Sequence, residues 1–136
     1  MIDYFKESEK LLTELPFLKQ AVENLHTRKA ALSKIAAEPQ QTGSRKHKGA
    51  FDDNEQIWLD CRLTEKQIKN TNIIIDAIEQ TLAQLDSEER VILRLWYIKH
   101  ESKEQILERM HYESMTSLYN IKNKAVRRFT LLYYGV

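Results

Sequence analysis

The sequence predicts an all-α protein: a long antiparallel helical hairpin over residues 1–85, then a C-terminal three-helix helix-turn-helix unit over residues 86–136. Three observations carry this. Three glycines and two prolines in 136 residues leave little material for turns. Two long stretches place apolar residues on alternating three- and four-residue steps, the period of a helix that buries one seam. The last third then carries repeated helix-start signals at Asp86 or Ser87, at Ser102 and at Ser114.

The first stretch runs from Asp3 to Ala37. Tyr4, Leu11, Leu15, Leu18, Val22, Leu25, Leu32 and Ala36 form its seam, with Ser8 and Lys29 filling the gaps. Pro16 interrupts it by removing a backbone donor and crowding the preceding turn. Either Pro16 sits in the first turn of a second helix or it kinks one long helix. The expectation is a short helix, a break near Thr13–Leu15 and a longer helix. Glu38 to Ala50 reads as a loop. It holds Pro39, Gly43, Gly49 and the basic run Ser44-Arg45-Lys46-His47-Lys48, a solvated tip or a contact to a phosphate backbone.

The second stretch, Asp52 to Leu85, starts on Asp52 or Asp53 as N-cap. Its seam is Ile57, Cys61, Thr64, Ile68, Thr71, Ile75, Ile78, Leu82 and Leu85. Two heptad helices joined by one loop fold back on each other. Trp58, Leu59, Leu63 and Ile74 exceed what a two-helix seam can bury. They are expected to cover the C-terminal unit; the alternative is a homodimer through the N-terminal helices.

In the last third, Ser87–Ile98 is the first helix, with Glu88 and Glu89 placed where the helix dipole favours them. Ser102 and Gln105 form a capping-box pair that opens a short second helix with Ile106, Leu107 and Met110 inward. His111-Tyr112-Glu113 is the turn and Ser114 caps the third helix. At 100° per residue, Leu118, Ile121, Ala125, Phe129 and Leu132 fall on its core side. Thr116, Asn120, Asn123 and Arg127 fall opposite, flanked by Tyr119 and Lys124.

Net charge is +1, so composition alone does not point to nucleic acid; distribution does. Asp52, Asp53, Glu55, Asp60, Glu65, Asp76 and Glu79 make the middle acidic. Residues 114–136 carry Lys122, Lys124, Arg127 and Arg128 and no acid. A capped short helix, a tight turn and a capped basic helix is the pattern of a reader of double-stranded DNA. Amides suit adenine edges, arginine suits guanine or phosphate, and threonine offers a hydroxyl and a methyl. Thr116, Ser117, Tyr119, Asn120 and Asn123, near the helix start, are the base-reading candidates. Lys122, Lys124, Arg127 and Arg128 are the phosphate candidates, joined by Ser102 and Lys103 at the start of the supporting helix. The bland alternative is a merely solvated polar face.

Leu85, Glu89-Arg90, Val91-Ile92, Leu95-Trp96-Tyr97, Ser102, Ile106, Met110, Ser114, Leu118, Ala125 and Phe129 together resemble region 4 of the sigma-70 family. The likeness covers the last fifty or so residues. Leu107 stands where that family prefers Ala, His111 where Gly is common, and Glu113 lengthens the turn; no region 2 is recognisable. A helical N-terminal half with a lone region-4-like end resembles small phage and prophage regulators of the ArpU/RinA type. That resemblance implies promoter binding beside RNA polymerase in a bacterial host cell and activation of late genes.

Other chemistry finds no support in the residues. Cys61 lies on a seam as a small core residue, and one cysteine forms no internal disulfide framework. His26, His47, His100 and His111 lack partners at metal spacing, and no Gly-rich phosphate loop is present. The expectation is therefore no enzyme, no cofactor and no metal. No run suits a bilayer, and the start lacks a signal-peptide layout, so a cytoplasmic location is expected. The rival reading is a protein-interaction module, in which the two long helices bind polymerase, a host factor or another copy and specific DNA readout is absent.

Overall fold

A computed structural model of the chain describes residues 1–37 and 53–136, and every regular element among them is helical. The order is α1 (Tyr4–Ala37), α2 (Asp53–Ala83), α3 (Ser87–Leu93), a π-helical turn (Arg94–Ile98), α4 (Lys103–Met110) and α5 (Met115–Tyr134). The loop expected at residues 38–50, its basic run and Asp52 lie outside the described residues. No described helix is long and apolar enough to cross a membrane.

Asp3 starts α1: its carboxylate accepts from the Lys6 amide at 3.2 Å, satisfying a donor left free by the helix start. The break expected near Thr13–Leu15 does not occur, and Pro16 lies inside one continuous helix. Pro16 cannot donate to the carbonyl four residues back, a cost of about 3 kcal/mol in a helix interior. Leu12 and Leu15, fully buried just before it, outweigh that cost.

The chain divides into two compact units. One comprises Met1–Leu18 and Ile74–Val136; the other comprises Lys19–Ile73. This differs from a boundary at residue 85, because the first turns of α1 belong with α5. Ser8 Oγ meets Thr130 Oγ1 at 2.7 Å, both side chains being buried. Ser8 also lies 2.9 Å from the Tyr4 carbonyl, and Thr130 lies 2.7 Å from the Val126 carbonyl. Each hydroxyl has one proton, so whichever of the two donates to the other gives up the bond to its own backbone carbonyl. Tyr4 and Tyr134 extend the contact, ring centroids 4.9 Å apart.

In this first unit Leu12, Leu15, Ile75, Ile78, Leu82, Leu85, Ile92, Leu93, Leu95, Ile106, Leu118, Val126 and Phe129 are buried. Arg94 pairs with Glu79 at 2.7 Å, tying the π turn to α2. In the second unit Val22, Thr64 and Ile68 are buried. There Lys29 reaches Glu65 at 3.4 Å and Ser33 faces Cys61 at 4.0 Å, two contacts in an antiparallel register.

The α2 seam is as the sequence predicts: every member from Ile57 to Leu85 is buried or half-buried. The surplus apolar residues are not. Trp58, Leu59, Leu63 and Ile74 are exposed, with Ile73, and the burial expected of them is not found. They sit away from the seam by helix geometry.

Pro16→Ala restores one backbone hydrogen bond in α1. It is expected to raise unfolding stability by about 1–3 kcal/mol, part of the gain being offset by the looser unfolded chain. Urea denaturation followed by far-UV circular dichroism measures it. An unchanged midpoint would mean that the packing around Pro16 already absorbs its strain.

Candidate nucleic-acid interface

The elements of the candidate face are held by local signals. Ser102 accepts from the Gln105 amide at 3.2 Å, and Gln105 Oε1 accepts from the Ser102 amide at 3.1 Å, a closed capping box on α4. α4 ends on His111, which takes left-handed φ 57 and ψ 36. The Tyr112 amide then bonds the Leu107 carbonyl at 3.2 Å. A histidine here performs the reversal that glycine would make without strain. Ser114 Oγ accepts from the Ser117 amide at 3.2 Å and starts α5.

The π turn precedes this pair. The Lys99 amide bonds the Arg94 carbonyl at 2.8 Å, five residues back, and His100 (φ 52) reverses the chain. Leu95 and Tyr97 point inward and Trp96 is left half-buried.

Trp96 meets Tyr119 edge-to-face, centroids 5.2 Å apart at 77°. Two ammonium groups lie over these rings. Lys103 Nζ is 5.7 Å from the Trp96 centroid and 5.4 Å from that of Tyr119. Lys122 Nζ is 5.0 Å from Trp96 and 5.8 Å from Tyr119. Such placement is attractive to the ring quadrupole. The Tyr119 hydroxyl beside Lys103 holds its ammonium above the ordinary lysine pKa, so this exposed cation keeps its charge.

Lys122 is only 7% exposed. The sequence placed it among the phosphate contacts; the structure places it in the core face of α5. Burial pushes its pKa down, and the Glu9 carboxylate, 3.9 Å away, pulls it back up. Glu9 also accepts from the Tyr97 hydroxyl at 2.6 Å. Burial first, then Glu9, hold the Tyr97 phenol well above its ordinary pKa.

The core stripe of α5 is Leu118, Lys122, Ala125, Val126, Phe129 and Thr130. It is rotated from the stripe read in the sequence: Ile121 is half-buried and Leu132 exposed. The reason is α1, whose Ser8 and Glu9 meet Thr130 and Lys122.

The rotation sorts the candidates. Thr116, Ser117, Asn120, Lys124 and Arg127 are exposed, and the 100° step brings them onto one outward strip. Asn123 and Tyr119 are half-buried at its flank, and Tyr119 is committed to Trp96. Arg128 is held by acids: its Nη1 lies 3.0 Å from Asp86 and 2.9 Å from the buried Glu89. Ser102 spends its hydroxyl and amide inside its capping box, while Lys103 beside it stays exposed. Trp96, Glu9 and Tyr97 were not named as site residues from the sequence. The adjacent Trp96 and Tyr97 of the π turn are the one local signal that could have drawn attention there, and none points to Glu9.

Among the described residues, no group of three His, Cys, Asp or Glu side chains is arranged to hold a metal ion. No protein-family model, curated protein or solved structure matches the chain.

Arg128→Ala leaves Glu89 buried with only the Asp86 amide, 3.3 Å away, as a donor. The expected cost is about 1.5–3 kcal/mol of stability, read by urea denaturation. A loss below about 0.5 kcal/mol, as for an ordinary surface change, would show that the pair is merely superficial.

Alkaline pH tests the buried phenol. A raised folded pKa means that stability is intact below the unfolded value, 10.0, and falls as pH rises above it. Tyr112, pushed up to about 12 by burial and then Glu88, acts in the same direction. Lys122, lowered on folding, acts oppositely in the window just below its ordinary 10.5. Tyr97→Phe is expected to flatten the decline between about pH 10 and 11.5, measured as the urea midpoint against pH. An unaltered slope would assign that decline to other tyrosines.

Proposed function

We propose that the chain is a sequence-specific DNA-binding regulator of transcription. In this reading α4, the left-handed turn at His111 and α5 form a helix-turn-helix, with α5 as the recognition helix. The observation that carries it is the outward strip of α5: Thr116, Ser117, Asn120, Lys124 and Arg127, exposed, without an acid among them, on a helix whose start is capped. Short hydroxyls and an amide near a helix start suit base edges in a major groove, and cations further along suit phosphates.

Thr116, Ser117 and Asn120 are the base readers, with Asn123 at the edge of the strip. Lys103, Lys124 and Arg127 are the phosphate contacts. Lys122 and Arg128 support the fold instead, since each is spent on an acid. The long helices α1 and α2 form the helical hairpin. The likeness to sigma region 4 extends the proposal to promoters used by RNA polymerase, with the chain acting as a phage or prophage late-gene activator.

One observation favours a second reading, a protein-interaction module without specific readout. Trp58, Leu59 and Leu63 are large, apolar and exposed on α2, as a partner-binding face requires.

Selection of bound sequences from random duplex DNA, at fixed salt, separates the two readings. A DNA reader enriches a motif, and Asn120→Ala relaxes one position of it by about 1–3 kcal/mol. Lys124→Ala weakens all sequences alike and lowers the slope of log K against log salt by about 0.9. Lys122→Met, once shown to be folded, leaves that slope unchanged. No enrichment by the wild type overturns the DNA reading and leaves the module.

A further inference from the structure

α2 carries a second heptad. Leu59, Leu63, Lys66, Asn70, Ile73 and Ala77 follow steps of four and three. At 100° per residue they lie about half a turn from the buried seam of the same helix. Leu59 is 40% exposed, Leu63 59% and Ile73 58%, with Ile74 beside them at 41%. α1 has no counterpart: Phe17 and Ile35 are its only large exposed apolar residues beyond its first turn. A helix that needs one seam has been given two.

We propose that the occupant of this outer seam is a second copy of the chain, its α2 lying antiparallel about a two-fold axis near residue 68. The register follows from the residues. Antiparallel pairing sets Leu63 against Ile73 of the second copy and Leu59 against Ala77, each twice by symmetry. Lys66 then faces Asn70, an ammonium against an amide oxygen that can accept from it. Parallel pairing instead stacks Lys66 on Lys66, two like charges inside the seam.

The flanking positions agree. The antiparallel register brings Arg62 beside Asp76 of the second copy, twice. The parallel one sets Arg62 beside Gln67 and Lys69 beside Ile74, with no opposite charges together. The one like-charge pair of the antiparallel arrangement, Lys69 with its own copy, is exposed at the rim. The seam from Leu59 to Ala77 spans about 27 Å of helix, and its centre is polar. A reversible dimer is expected, with Lys66 and Asn70 fixing the register at some cost in affinity. This inference is independent of what α5 binds.

Sedimentation equilibrium of the full chain tests it. The wild type is expected to dimerise reversibly below millimolar concentration. Leu63→Glu with Ile73→Glu is expected to stay monomeric with an unchanged circular dichroism spectrum, since both positions are exposed in the monomer. Arg62→Asp turns two attractions into repulsions and is expected to weaken the dimer about tenfold. Adding Asp76→Arg to it restores most of the loss, because only the antiparallel register sets these positions together. Three results overturn the proposal: a wild type that stays monomeric, a dimer indifferent to the two glutamates, or a charge swap that does not restore association.

Discussion

Glu9 holds the C-terminal unit in the form described. Its carboxylate accepts from Tyr97 and faces the ammonium of Lys122, so that α1, the π turn and α5 meet at one acid. A lysine ammonium only 7% exposed is expensive unless an opposite charge answers it. Glu9 supplies that charge, and Trp96, Tyr119 and Phe5 supply electron-rich faces around the same ammonium. The beginning of the chain is thus a structural part of its end. Ser8 and Thr130, about two turns further along α5, continue the contact with hydroxyls.

This contact fixes how α5 is turned about its own axis. With Lys122, Val126 and Thr130 inward, Asn120, Lys124 and Arg127 must lie outward. The exposed face of α5 is therefore set by a helix more than a hundred residues earlier in the chain. Arg128 fixes the other edge: Asp86 and Glu89 at the start of α3 claim its guanidinium. What remains outward is a narrower and less basic strip than a count of lysines and arginines suggests. Specific contacts near the helix start must then carry more of any binding than bulk charge does.

Much of this was legible in the sequence, for identifiable reasons. The helix-start residues Ser102 and Ser114 act locally, so their neighbours suffice to identify them. The α2 seam was legible because it repeats over many turns and any one misfit residue is outvoted. The rotation of α5 was not. Ile121 and Lys122 are adjacent, and apolarity alone puts Ile121 inside; the choice of Lys122 depends on Glu9, whose proximity no local pattern encodes. Pro16 misled for a similar reason. Its local cost is real, but Leu12 and Leu15 are fully buried beside it, and tertiary packing overrode propensity. The surplus apolar residues of α2 are legible in the sequence as surplus, but whether a core takes them is not, because their exposure depends on which elements pack nearby.

The two surfaces differ in the physics they invite. The α5 strip is polar and cationic, so binding there would be strengthened by counterion release and weakened by salt. The outer seam of α2 is apolar at its ends and self-complementary in charge, so association there would be driven chiefly by burial and depend less on salt. They share no residue: one uses positions 59 to 77, the other positions 116 to 127. A substitution in one can therefore leave the other's chemistry intact. Where a two-fold dimer presents two α5 strips, each weak by itself, linkage raises the strength of a paired site without any new contact. If the proposed readings of α5 and α2 hold together, a narrow strip with few free cations gains most from being used twice.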